Sequence, residues 1–386
     1  MNKLKVGVLF GSRSVEHEVS IVTAMQIFAN IDKEKYEVVP IYIDKKGRWN
    51  LGEGLDKIES YQNLELVEKN KTAEFQMPSI VGQKSLMPIK TGLMGPRPKD
   101  IDIIFPAIHG TYGEDGTLQG LLEMANIPYT GCTVGSAAIG MDKVLQKAVY
   151  EKVGIPVVKY NWFYDWEWEK DKKSLITKVE KELGYPVCVK PANLGSSVGI
   201  NMAKNKKEFE WAVDVAKEFD NKLLIEEGLP NIDEINVSVM GNQELEVSVC
   251  EQPVKNNKFL SYEDKYLTNR KTKGMANLSR ILPAPISNNL TKKIQNYALE
   301  AFRALGASGL SRIDFLVDIK NEKVFINEIN TLPGSLAFYL WEKSGYLFPK
   351  LLDKLIALGL EKFELKNKKM YSINSSLLKS SGGSKR

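Results

Sequence analysis

The chain has 386 residues, of which 43% are hydrophobic, 26% charged and 9% aromatic, a globular composition that excludes a disordered, collagen-like or mucin-like chain. At roughly 150 residues per domain the length suits two or three domains, each with a buried core. Lys plus Arg number 53 against 48 Asp plus Glu, a net +5, which is far from the dense basic stripe of a nucleic-acid binder, so nucleic acid is not the expected partner.

Residues 4–10 (LKVGVLF) read as a buried strand, Gly11 to Glu18 as a polar turn and Val19 to Asn30 as a helix, with Tyr36 to Ile43 as the next buried strand. The apolar run at 101–108 continues this strand–helix–strand pattern, which is that of a parallel α/β domain ending near residue 131. Residues 62–98, polar and carrying Pro78, Pro88, Pro96 and Pro98, are expected to form an insertion or long surface loop. Thr133 to Gly154 reads as helical. Residues 186–201 read as a hairpin with a glycine-serine tip, within a compact second domain over 132–222. Strands at 223–229, 234–240 and 244–250 and helices at 289–305 and 347–360 make an α+β third domain over 223–365. Residues 366–386, ending SSGGSKR, read as a flexible tail.

The longest apolar stretches, such as Val6 to Phe10 and Ile101 to Phe105, fall far short of the ~20 residues of a membrane-spanning helix. Met1 to Leu4 leads into a strand without a signal-peptide core, so a cytoplasmic protein with no membrane partner is expected. Cys132, Cys188 and Cys250 are odd in number and widely spaced, which fits buried thiols better than disulfides or a cysteine zinc site.

The chemistry concentrates in two strands flanking a turn at Ile319 to Glu322. Alternation places Arg312 and Asp314 on one face and Ile313, Phe315 and Val317 on the other, while Glu328 and Asn330 share a face of the returning strand. Folding the hairpin brings Asp314 roughly opposite Glu328. Such a pair would repel without a counter-charge, and hard oxygen ligands suit Mg2+; a solvent-facing acidic edge balanced by Arg312 is the alternative. Lys190 ends an apolar strand before the loop Gly195 to Gly199, which can cradle phosphate or be an ordinary turn. Neither a P-loop nor a dinucleotide fingerprint is present. Lys143 and Lys147, one helical turn apart, read by themselves as a solvated face. Residues 226–229 read as a linker that could offer backbone groups to an adenine edge or be plain polar chain. With His17 and His109 the only histidines, and no nucleophile elbow, a histidine metal site or serine hydrolase is not expected.

In order, the strings VGVLFGSRSVEHEVS (6–20), FPAIHGTYGEDGTLQGLLEMANIPYTG (105–131), GMDK (140–143), VKPANLGSSVG (189–199), LIEEGL (224–229), YEDKYL (262–267), ILPAPI (281–286), LSRIDF (310–315) and NEINTLPG (327–334) resemble the D-alanine–D-alanine ligases, carboxylate–amine ligases of ATP-grasp type. The resemblance covers most of the chain and implies a three-domain ATP-grasp fold with an N-terminal parallel α/β, substrate-binding domain. It implies that ATP phosphorylates the first D-alanine and that the amine of the second attacks the acylphosphate, for peptidoglycan precursor synthesis. By the same resemblance Asp314, Glu328 and Asn330 carry two Mg2+ ions, with Mn2+ an alternative. Lys143, Lys190 and Lys265 neutralise phosphate with Ser197, and Glu226, Glu227, Leu229 and Glu234 contact adenine and ribose. Glu16 with Ser196 and Tyr266 form the triad at the first substrate's ammonium. Arg312 and the Gly334 backbone face the oxyanion, and His109 and Ser335 lie near the substrates. A homodimer is implied.

The sequence departs from this family after Gly334. Ser335 to Trp341 is shorter by about four residues than the usual segment that holds the second substrate, so the acceptor pocket must be built differently. The stretch 267–282 is divergent and basic, with Arg270, Lys271, Lys273 and Arg280. A ligase with another acceptor, or a catalytically silent nucleotide-binding relative, are the alternatives.

Overall fold

A computed structural model describes residues 3–62, 72–78, 81–90, 92, 95–196, 198–254 and 280–373. Its first sheet contains β1 (Leu4–Gly11), β2 (Tyr36–Ile43), β3 (Trp49–Gly52), β4 (Thr72–Gln76), β5 (Ser85–Pro88), β6 (Lys99–Asp100) and β7 (Ile103–Pro106) in the order β6-β5-β4-β3-β2-β1-β7. The expected parallel core is there: β1 runs parallel to β2 and β7, with α1 (His17–Asn30) as the crossover. The stretch 62–98, expected to be an insertion or long surface loop, instead extends the sheet, because β4 and β5 add antiparallel strands beyond β3 and bury Phe75 and Leu86. Pro78 and Pro88 lie just past β4 and at the end of β5, where a missing N–H is tolerated, so these prolines punctuate strands rather than prevent them.

The second sheet, β8 (Tyr160–Tyr164), β9 (Val187–Pro191), β10 (Asn201–Ala203) and β11 (Lys222–Glu227), is antiparallel in the order β10-β9-β11-β8. Helices Asp165–Glu182 and Lys206–Ala216 close its apolar face around Trp168, Val189, Phe209 and Ile225. The hairpin expected at 186–201 is β9 and β10. The strand expected to open the third domain is β11, which lies between β9 and β8; strand order is a non-local property that alternation along the chain does not carry.

The third sheet, β12 (Asp233–Gly241), β13 (Leu245–Val247), β16 (Gly309–Asp318) and β17 (Lys323–Asn330), runs β13-β12-β16-β17, while β14 (Gln252–Pro253) pairs with β15 (Arg280–Ile281). Helix Asn288–Ala304 packs Ile294 and Phe302 against Ile235, Val237, Ile313 and Phe315. The final helix runs Phe348–Asn367, two residues into the expected tail, and its Leu351 and Leu355 share one core with Val6, Phe10 and Phe105 of the first sheet and Met240 and Leu310 of the third. That common core fixes the loop after β17 against the ends of β1 and β7. SSGGSKR lies outside the described residues. The three cysteines are free and buried, and among the described residues no helix is long and apolar enough to cross a membrane.

Candidate active site

Pairing of β16 with β17 sets Asp314 opposite Glu328 and Arg312 opposite Asn330, the register that alternation predicts. Arg312 donates from Nε and Nη2 to the two carboxylate oxygens of Asp314, each at 2.7 Å, and Asn330 Nδ2 donates to Asp314 Oδ2 at 3.0 Å. The register shifts by a bulge between Asp314 and Phe315, a device that re-aims side chains at a sheet surface. Ile313 and Phe315 point the other way, into the core. Burial works against the Arg312 charge, but Asp314 holds its guanidinium firmly protonated. Among the described residues no three His, Cys, Asp or Glu side chains cluster as a metal site. The donor set here is two carboxylates and a carboxamide on one face, oxygen ligands that fit Mg2+ when phosphate oxygens complete the shell.

Cations from the second sheet and from the helix Lys143–Lys152 meet this face. Lys190, at the end of β9, pairs with the Glu226 carboxylate and donates to Asn327 Oδ1 of β17 at 3.2 Å. Lys143 begins helix Lys143–Lys152, whose first turn is capped by Asp142 through the Val144 and Leu145 N–H groups. Its Nζ donates to the Leu194 carbonyl at 2.8 Å and lies 3.4 Å from Glu328. Lys147 does not belong to a solvated face: it is 1% exposed and sits 2.5 Å from Glu226. The shared core of the helix and sheet turns it inward. Burial would raise the Glu226 carboxyl, but the ammonium groups of Lys147 and Lys190 bring it down to about 2. The Glu226 side chain is thus bound by lysines, which leaves only its backbone for an adenine edge. Glu227, Leu229 and Glu234 are half-buried along the seam between the second and third sheets.

The remaining site residues come from the loops of the first sheet. Glu16, 6% exposed, accepts from Ser196 Oγ, which joins the tip of the β9–β10 hairpin to the start of α1. Close approach here requires glycine. A Cβ on Gly110, whose φ is +70°, would lie 2.5 Å from Glu16 Oε2, and one on Gly195 would lie 3.0 Å from the same atom. His109 is buried, which pushes its imidazole down to about 4. The neutral ring donates from Nδ1 to the Leu332 carbonyl at 2.9 Å and accepts at Nε2 from Thr23 Oγ1 at 2.8 Å, a tautomer assigned because a carbonyl can only accept. Glu114 accepts from the Gly110 and Leu332 N–H groups at 2.7 and 3.0 Å, while burial and then the neighbouring Glu16 charge raise its carboxyl to about 8.

Gly334 opens a tight turn over Gly334–Ala337 in which Ser335, Leu336 and Ala337 all have φ near +50°. Ser335 is buried, and its N–H is bonded to Thr23. Beyond the turn, Tyr339 donates to the buried Glu251 at 2.8 Å beneath the Arg280 guanidinium, 3.5 Å from the ring centroid. Arg280 Nη1 also donates to Glu251 at 3.1 Å. Ser197, Lys265 and Tyr266 lie outside the described residues. Sequence reasoning passed over Thr23, Glu114, Glu251 and Tyr339; Glu114 had a signal, its place within HGTYGEDG, and Thr23 had none.

Two family profiles cover the chain: "D-ala D-ala ligase N-terminus" over residues 5–132 and "D-ala D-ala ligase C-terminus" over 149–357. The chain is 43% identical over 377 residues to a D-alanine–D-alanine ligase of Thermosipho melanesiensis, covering 97% of this chain and 98% of that one. Among solved structures it is similar to the D-alanine–D-alanine ligase from Coxiella burnetii, at 31% identity and a TM-score of 0.82 over 95% of this chain and 97% of that chain. The VanG D-Ala:D-Ser ligase from Enterococcus faecalis follows at 31% identity and 0.79, over 93% and 100%. With the strand register, the opposed lysines and the full-length matches in agreement, the chain belongs to the D-alanine–D-alanine ligase family, with its ATP-grasp fold.

Proposed function

We propose that this chain joins two D-alanines to D-alanyl-D-alanine at the expense of ATP, in the cytoplasm, for peptidoglycan precursor synthesis, and that it does so as a homodimer. The observation that carries the reading is the Arg312–Asp314–Asn330–Glu328 face of the β16–β17 hairpin, opposed by Lys143 at the start of its helix and Lys190 of the second sheet. A transferring phosphoryl group needs such opposed cations and oxygen ligands, because its charge spreads over several oxygens.

In the first step a carboxylate oxygen of the first D-alanine attacks the γ-phosphorus and the bond to ADP breaks. Lys143 and Lys190, with Lys265 and Ser197, offset the phosphate charge. Asp314, Glu328 and Asn330 would hold Mg2+, which supplies further neutralisation of the phosphates. Glu16, fixed by Ser196 and joined by Tyr266, binds the ammonium of the first substrate and so orients its carboxylate. In the second step the amine of the second D-alanine attacks the acyl carbon, loses its proton to water, and the bond to phosphate breaks. Arg312 and the Gly334 N–H stabilise the oxyanion that exists only in between. Glu227, Leu229, Glu234 and the Glu226 backbone line the adenine and ribose side.

The test is ATP-dependent phosphate release with Mg2+, first with D-alanine alone and then across D- and L-amino acids and hydroxy acids, with products weighed by mass spectrometry. D-alanyl-D-alanine as main product is expected. A mixed dipeptide as main product would favour the second reading, a ligase with another acceptor. The short 335–341 turn and its Tyr339–Glu251–Arg280 cluster support that reading, as does likeness to a relative named for D-serine. ATP binding without turnover on any substrate would overturn both.

A further inference from the structure

The loop after β17 carries the Gly334 amide, and the first sheet grips it on both sides of that residue. Two bonds close on Leu332: its N–H is held by Glu114 at 3.0 Å and its carbonyl by His109 at 2.9 Å. One residue beyond Gly334, the Ser335 N–H is held by Thr23 Oγ1 at 3.2 Å, and the same hydroxyl donates to His109 Nε2 at 2.8 Å. These partners lie more than 200 residues away in sequence, and Thr23 and His109 are 1% and 2% exposed. The partners are themselves anchored. Ser20, one turn before Thr23 on α1, donates to the Ala107 carbonyl at 2.6 Å and accepts from Gly11 N–H at 2.7 Å. The other Glu114 oxygen holds Gly110, the residue that crowds Glu16.

We infer that Thr23 and Glu114 are positioning residues for the ligation step: with His109 they clamp the Thr331–Ser335 loop to the first sheet and so fix the Gly334 amide where the oxyanion develops. This inference rests on the oxyanion role of Gly334 proposed above. An oxyanion donor acts through its placement, and a shift of about 1 Å can cost about 100-fold in rate. The clamp also ties this amide to the pocket of the first substrate, since Glu114 bonds to Gly110 and Leu332 at once.

The test uses the full chain with Thr23→Val, Thr23→Ser and Glu114→Gln, each checked for an unchanged melting profile. Thr23→Val keeps the volume and loses the hydroxyl; Glu114→Gln places an amide N–H against one of the two N–H donors. For both, kcat is expected to fall about 10- to 100-fold with the KM for ATP within about twofold of wild type, while Thr23→Ser stays near wild type. A tetrahedral phosphinate dipeptide, which mimics the intermediate, should lose affinity in Thr23→Val and Glu114→Gln by the same factor as kcat. A structural role alone would not produce that parallel loss. Folded variants with wild-type kcat, or with unchanged phosphinate affinity, would overturn the clamp, as would equal losses in Thr23→Val and Thr23→Ser. Wild-type protein that binds the phosphinate no better than D-alanine would remove the oxyanion reading itself, and the clamp with it.

Discussion

The two halves of the candidate site are built by opposite means. The phosphate half is a hairpin: Arg312, Asp314, Glu328 and Asn330 meet because β16 turns directly into β17, and a single register sets all four. The substrate half is assembled from distant segments, with Glu16 bonded to Ser196, His109 to Leu332 and Thr23 to Ser335. A local device is specified by alternation and one turn, whereas a non-local one exists only once the domains have packed. Failure should differ accordingly. Damage to the hairpin should abolish chemistry in a protein that still folds, and damage to the assembled half should detune it.

The largest effect is expected from Glu328→Ala, which removes an oxygen ligand from a half-buried position on this face: turnover should drop by about 1,000-fold or more with the thermal transition unchanged. Near-normal activity in the folded variant would break the assignment of this face to phosphate. Next is Arg312→Ala, for which kcat should fall about 100-fold while calorimetric ATP affinity changes little, because the guanidinium N–H groups not held by Asp314 meet a charge that develops only in the transition state. A selective loss of ATP affinity would move Arg312 to the nucleotide. Lys147→Met should destabilise the fold by about 3 kcal/mol, read by denaturant titration, since it strips one of two cations from a carboxylate that is 2% exposed. Tyr339→Phe removes the hydroxyl from Glu251 and should change the KM for the second amino acid by a few-fold, about 1 kcal/mol, with ATP kinetics untouched.

The smallest effect is a slope. His109 is held near 4 against an ordinary 6.5, so the folded protein binds fewer protons than the unfolded chain between these values. Its contribution is complete above pH 6.5 and is lost as pH falls toward 4. His109→Gln should flatten the decline of melting temperature with acidity over that window, and an unchanged profile would place the acid sensitivity elsewhere.

What could be read in the sequence follows the same division. The pairing of Asp314 with Glu328 and the separation of Arg312 from Ile313 are consequences of period-two geometry and were legible. The placement of β11 inside the second sheet was not, because nothing along Lys222–Glu227 says which neighbours it will have. Prolines near 78 and 88 resembled loop markers, although at strand ends they are compatible with β4 and β5. Lys147 looked like surface because an isolated helix shows only its spacing; the counter-ion that allows its burial, Glu226, is on another sheet. Thr23 carries no signature at all: its hydroxyl, like that of Ser20 one turn earlier, sits among the apolar residues of α1, and spacing does not tell what it will meet.

The final helix, Phe348–Asn367, welds the first and third sheets through one apolar core, whereas the second sheet keeps a core of its own. What joins that sheet to the rest is the small cluster Val144, Ala192 and Leu224 together with polar bonds such as Lys190 to Asn327 and Ser196 to Glu16. Prising apart the welded pair would expose a large apolar surface, but polar bonds can be exchanged for water at little net cost. The wall that Ser196 adds to the Glu16 pocket therefore belongs to the part of the molecule that a small apolar cluster and polar bonds, rather than a shared core, hold to the rest.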